Sequence, residues 1–187
     1  MMNFVQRRRF LWKVFLVGLG LIAVVANATT FARVSFRELA QQSTAVGRFR
    51  CLSTESKWYN GEIWTETRFE VMETSKGSLP ELVSVRTMGG AAAGLRSRVE
   101  GVPEFRPGEQ VYLFLYGTAG GTYQVMGWQQ GTFRIRRDAG IERVTQDSAA
   151  TLIFDPQTRQ FRGRGVRNIP IAIFQMKLKK ALERETN

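Results

Sequence analysis

The chain has 187 residues, and 27 Lys and Arg against 16 Asp and Glu give it a formal charge of +11. It contains no histidine and a single cysteine, Cys51. That excludes Ser-His-Asp triads, Cys-His nucleophiles, imidazole-based zinc sites, an intrachain disulfide and Cys-x-x-Cys chemistry. Hydrophobic residues make up 43% and charged ones 23%, with five prolines, which is the composition of a globular chain.

The first 28 residues read as an export signal. Arg7, Arg8, Arg9 and Lys13 precede an uncharged apolar run from Val14 to Ala26, and Ala26-Asn27-Ala28 offers small residues for cleavage between Ala28 and Thr29. Thirteen helical residues rise only about 20 Å, short of a bilayer's hydrocarbon core, although an uncleaved short anchor is the alternative. Arg7-Arg8-Arg9-Phe10-Leu11 also resembles the twin-arginine pattern, with Gln6 and Trp12 departing from it. The strength of the apolar run favours the general secretory route. Either route leads to the periplasm or the medium.

The exported part opens with Ser35-Phe36-Arg37-Glu38, a capping box that starts a short helix from Phe36 to about Ser43. The period then changes from helical to alternating. Ala45, Gly47, Phe49 and Cys51 form the packed face of a strand, and Tyr59-Asn60-Gly61 is a turn. Ile63, Thr65, Thr67, Phe69 and Val71 then alternate with Trp64, Glu66, Arg68 and Glu70 as a second strand. Lys76-Gly77-Ser78 and Pro80 end it, and Leu82 to Met88 gives a third. The glycine/alanine loop Gly89 to Gly94 leads into a return strand from Leu95 to Val99. Val111 to Tyr116 is apolar on both faces, the pattern of a central strand. Tyr123 to Trp128 follows a glycine-rich turn, and Thr132–Arg137 and Ile141–Thr145 form a hairpin across Asp138-Ala139-Gly140.

Six to eight short strands at this spacing predict a mainly β fold, a small antiparallel OB-like barrel with a helix at each end. The expected organisation is a signal peptide at 1–28, a barrel at 29–150, and a basic segment with a C-terminal helix at 151–187. Residues 134–187 carry 12 basic and 6 acidic side chains, against 11 and 10 in residues 29–133. The basicity is thus concentrated at the C-terminal end. Asn168-Ile169-Pro170 opens the last helix, with Phe174, Leu178, Ala181 and Leu182 on one face.

The order of many short pieces resembles a family of exported bacterial proteins of uncharacterised function. These pieces are Ser35-x-x-Glu38-Leu39, Val46-Gly47, Trp58, Ile63-x-Thr65, Phe69-x-Val71, Lys76-Gly77, Gly89-Gly90, Gly101-x-Pro103-x-Phe105-x-x-Gly108-Glu109, Phe114-Leu115, Tyr123 and Gln130-Gly131-x-Phe133. The resemblance spans about Ser35 to Val144. It implies an exported protein and, because such proteins tend to be encoded near matrixin-like metalloproteases, a protease partner worth testing. Lys76-Gly77 and Phe105-x-x-Gly108 before Tyr112-Leu113 are more distantly similar to the OB-type barrel of metalloproteinase inhibitors and netrin C-terminal modules. That similarity bears on fold alone, because the inhibitors' N-terminal zinc-binding cysteine has no counterpart here.

Candidate sites follow from outward-facing aromatic and basic residues. Trp58, Tyr59 and Trp64 bracket the first turn and are candidate ligand contacts. Trp64 alternates with charged residues and so points outward, whereas Trp58, with Trp128, reads more readily as core closing a barrel end. Arg159, Arg162, Arg164 and Arg167 lie in an acid-free stretch suited to an acidic partner or an anionic surface. Nucleic acid is not the expected partner, and membrane contact is expected only through the signal peptide or weak basic surface contact. Glu66 and Glu70 flank Arg68 and offer the weaker alternative of a hydrolase; solvated ion pairs are the simpler reading. Gly89 to Gly94 has phosphate-loop spacing but lacks the following Lys and helix. Cys51 shares a face with Phe49 and is expected to be buried. Neither metal nor cofactor is expected. The combined expectation is a non-enzymatic binding protein of the envelope or secreted fraction, with a protein or polysaccharide ligand.

Overall fold

The computed structural model describes residues 32–183 except 119, 120 and 164. The proposed signal segment, its cleavage site at Ala28 and Thr29, and Arg164 lie outside the described residues. From Ala32 onward the chain forms one compact unit.

Helix α1 (Phe36–Gln42) is started by a complete capping box. The Glu38 N–H donates to Ser35 Oγ (3.1 Å), and the Ser35 N–H donates to the Glu38 carboxylate (2.7 Å). The bond from the Ser35 N–H, helped by the Ser35 hydroxyl, holds the Glu38 carboxyl below its ordinary range. Strands β1 (Ala45–Tyr59) and β2 (Glu62–Lys76) then make a hairpin with 15 residues in each arm. Its two-residue turn places Asn60 and Gly61 at φ +51° and +83°, the left-handed pair that matches strand twist. The alternation expected from Ala45 to Cys51 is present but does not end there. Leu52 is an extra residue between the pairs Cys51–Phe69 and Ser53–Arg68, and beyond this bulge β1 continues to Tyr59.

Strand β3 (Leu82–Met88) pairs antiparallel with β2. A small hairpin of β4 (Gly90–Ala92) and β5 (Leu95–Ser97) follows, in place of a loose glycine loop. Strand β6 (Gln110–Gly117) pairs along one edge with β1 and along the other with β7 (Tyr123–Val125) and β8 (Thr132–Asp138). A single parallel pair, Val85 with Tyr123, joins β3 to β7. The order β1-β2-β3-β7-β6 therefore returns to β1 and closes a ring of five strands. The protein is a small, mainly β barrel with a helix near each end of the described chain, as the sequence predicts. Every other strand pairing is antiparallel.

Strands β7 and β8 are two halves of one edge. Between them Met126–Gly131 leaves the sheet opposite Phe114, whose N–H donates to Gly131 O (3.0 Å) while its carbonyl accepts from Met126 N–H (2.8 Å). The excursion includes the short helical turn Trp128–Gln130 and places Trp128 at φ +53°, an uncommon setting for a large side chain. Strand β9 (Ile141–Gln146) completes a hairpin with β8. After a short helical turn, Asp147–Ala150, the basic segment forms a further hairpin, β10 (Ile153–Asp155) with β11 (Gln160–Arg162). Strand β12 (Ile169–Pro170) then leads into helix α2 (Ile171–Leu182).

Two cores result. Phe49, Cys51, Phe69, Val85, Val111, Leu113 and Leu115 fill the barrel. Leu39, Val46, Tyr112, Phe114, Phe133, Phe174 and Leu178 form a second layer beneath α1 and α2. Strand β6 serves both: Val111, Leu113 and Leu115 face inward, Tyr112 and Phe114 face the helices, and all five are fully buried. Each such side chain contributes about 1.5–3 kcal/mol on leaving water. Tyr112 pays no polar penalty, because its hydroxyl donates to Glu73 (2.9 Å) and accepts from the Gln175 amide of α2 (3.0 Å).

Burial places Cys51 in an apolar wall and pushes its thiol up to about 11, with Glu109 adding to the effect. The native state thus keeps a proton that an unfolded thiol starts to lose near pH 8.5. The stabilisation is complete below that pH and declines as pH rises toward 11. Native protein at pH 7.5 should therefore react with a thiol-specific disulfide reagent at least 100-fold more slowly than in 6 M guanidinium chloride, measured by release of its chromophore. A fast native reaction would contradict the buried placement.

Candidate functional site

The two-residue turn fixes which residues share a face. Tyr59 stands opposite Glu62, so Lys57 lies opposite Trp64 and Glu55 opposite Glu66. On the other edge of β2, Trp64 pairs with Met88 and Glu66 with Arg86. The outer face of β1–β2–β3 therefore carries a row of Lys57, Trp64 and Met88 beside a row of Glu55, Glu66 and Arg86. Arg86 sits over the Tyr59 ring, 5.8 Å from its centre, and 3.9 Å from the Glu66 carboxylate. Tyr59 is 59% exposed and Trp64 half-buried. A ring held by a cation over its face is oriented at little entropic cost when a ligand stacks on it.

Trp58 corrects the expectation of a barrel-end core residue. It is 46% exposed. It pairs with Ile63 on the opposite side of the hairpin from Trp64, so the three aromatics do not form one cluster. The cause is hairpin length. Strand β6 reaches β1 only along Ala45–Arg50, and β3 reaches β2 only from Trp64 to Glu70. Past those limits no ring strand remains to cover Trp58. Trp128 is half-buried, within the excursion between β7 and β8.

The C-terminal arginines do not combine into one patch. Arg159 is exposed in the β10–β11 turn at φ +53°, and the Arg162 side chain lies outside the described positions. Arg167 folds back, donating from Nε (2.7 Å) and from an Nη to the Ala149 carbonyl, so it closes the end of the Asp147–Ala150 turn. Glu66 faces Arg86, and Glu70 lies 3.3 Å from Arg50, each carboxylate side chain 45% exposed. That is the geometry of solvated ion pairs.

Sequence reading missed a polar inner face. Thr54, Ser56, Thr65, Thr67 and Thr87 occupy the inward side of the hairpin's outer half. Ser56 and Thr65 share a hydrogen bond (2.8 Å), and Thr65 donates to Gly89 O (2.7 Å). Gly90 lies so close that a Cβ there would collide with both hydroxyls. A cavity of about 200 Å³ beside them also takes in Arg96 and Arg98. Alternation marks these threonines as inward, but their polarity disguised that a cavity rather than a core lies there. Among the described residues no group of three acidic or thiol side chains is placed to hold a metal ion, and no helix is long and apolar enough to cross a membrane.

No family model, curated protein or solved structure matches the chain.

Proposed function

We propose that the protein is an exported, non-enzymatic binding module that holds a polysaccharide or an extended protein segment on the outer face of β1–β2–β3. The observation that carries this reading is the register that sets Tyr59, Trp64 and Met88 on one outer face, with Arg86 and Glu66 beside them. Flat aromatic surface bordered by paired charges suits a neutral partner with many hydroxyl or amide groups. The basic, apolar and small-residue succession of residues 1–28 supports export.

The test is capture of partners from envelope and secreted fractions of the host, with identification by mass spectrometry. The parent should enrich one protein or glycan, and Trp64→Ala should reduce its retention at least fivefold while leaving the melting temperature within about 2 °C. A matrixin-like metalloprotease among the retained proteins would make protease modulation the specific form of this function. Equal recovery of the same material by parent and Trp64→Ala would refute the placement of the binding face.

A further inference from the structure

A second cavity, of about 460 Å³, opens where the approach to α1, the Asp147–Ala150 turn and the start of α2 come together. Its lining includes the apolar residues Phe36, Ile153 and Ile169. It also includes Arg33, Arg167, Lys177 and Ser148. Two buried glutamines build the floor, each accepting one hydrogen bond and donating one. Gln130 accepts from Val34 N–H and donates to the Ala32 carbonyl, both at 2.9 Å. Gln146 accepts from Val166 N–H (3.1 Å) and donates to the Gln130 carbonyl (2.5 Å). Gly165 is required in the wall, since a Cβ would come within 2.7 Å of Ala149 Cα.

Several polar groups of the lining have donors left over. Ser148 lines the cavity, and its hydroxyl makes no hydrogen bond to a described residue, so it is available to a ligand. Arg167 uses Nε and one Nη on Ala149 and keeps its other Nη free. Lys177 makes no ion pair among the described residues. Of the cations, Arg33 is already matched by Asp155 (2.9 Å), which also accepts from the N–H groups of Gln157 and Thr158. Arg167 and Lys177 are left as an excess of positive charge in a lining that also has apolar members.

We propose that this cavity binds a small amphiphilic anion, a phosphate monoester or carboxylate whose head meets Arg167, Lys177 and Ser148 and whose apolar body lies along Phe36, Ile153 and Ile169. Guanidinium and ammonium groups supply the charge-assisted bonds that both heads accept. The size is that of a small-molecule site. The site shares no residue with the aromatic face and stands independently of it.

The test is calorimetric titration of the full chain with hexyl phosphate, hexanoate, inorganic phosphate and hexanol at low salt. At least one of the two amphiphilic anions should bind saturably, at least tenfold more tightly than inorganic phosphate or hexanol. Whichever binds tighter identifies the head group. Lys177→Gln and Ser148→Ala should each weaken that binding at least fivefold, and Trp64→Ala should leave it unchanged. Lys177 has no structural bond to lose, so its variant stays informative even if Arg167→Gln unfolds the Ala149 turn. Absence of saturable binding by both amphiphiles, or equal affinity in the parent and Lys177→Gln, would overturn the proposal.

Discussion

Alanine at Gly131 is expected to destabilise the protein by about 3 kcal/mol or more. For a domain of this size that is a fall of roughly 6–12 °C in melting temperature. The glycine's φ of −92° suits any residue, so the requirement is purely one of space. A Cβ would overlap the Met126 carbonyl oxygen and press on Val125. Neither backbone can retreat, because Met126 and Gly131 hold the two sides of Phe114 through its carbonyl and its N–H. The neck of the excursion would open, and with it the alignment of β8 on β6. Gly140→Ala is the proper comparison. Gly140 adopts φ +82°, and a methyl added there would have nothing within 4 Å, so that variant meets only the left-handed penalty of about 1–2 kcal/mol. Thermal melts of the two variants separate crowding from conformation, and similar losses in both would show that the neck gives way easily.

Arg134→Leu should cost about 2–3 kcal/mol. The guanidinium grips Asp147 with two bonds (2.7 and 2.9 Å), Glu109 with a third (2.7 Å) and the Glu104 carbonyl with a fourth (2.8 Å), and it stands over the Phe105 ring. Burial opposes its charge, but Asp147 and Glu109 outweigh that and hold its pKa above the ordinary value. Leucine would leave two part-buried carboxylates facing each other with no cation between them. Lysine restores the charge but cannot reproduce a fork of parallel donors, so Arg134→Lys should recover less than half of the loss. In urea denaturation, Arg134→Leu combined with Asp147→Asn should show a coupling of about 1 kcal/mol or more. Strict additivity would mean the pair contributes nothing beyond its separate members.

Much of the fold was legible because local chemistry and tertiary demand agree. Ser35 and Glu38 name the start of α1, Asn60-Gly61 names a two-residue turn, and the doubly apolar run at Val111–Tyr116 names the strand between two layers. The full length of β1 was hidden because Leu52 interrupts the alternation and Ser53–Lys57 has no apolar member. The barrel was expected, but the parallel pair that closes it was hidden, because Val85 and Tyr123 are distant in sequence and meet as a lone pair. The β10–β11 hairpin was hidden by its brevity: three-residue strands give no period to read, although Phe154 and Phe161 pack across it with ring centres 5.4 Å apart. At the candidate site, Trp64 was placed correctly by its charged neighbours. The error at Trp58 came from hairpin length: the register does put Trp58 on the face opposite Trp64, but the hairpin runs past the strands that would cover it. The anionic-ligand cavity could not have been read in advance. Its members come from five separate segments that only the tertiary fold brings together.

Two hydrophobic layers ordinarily invite two melting steps. Here one strand, β6, contributes alternate side chains to each, and its backbone holds β1 on one side and β7 and β8 on the other. The layer beneath the helices cannot loosen without stripping the outer wall of the barrel, and the barrel cannot open without withdrawing Tyr112 and Phe114 from the helices. Cooperativity is thus built into one eight-residue stretch, and the compact unit gains or loses its structure as a whole.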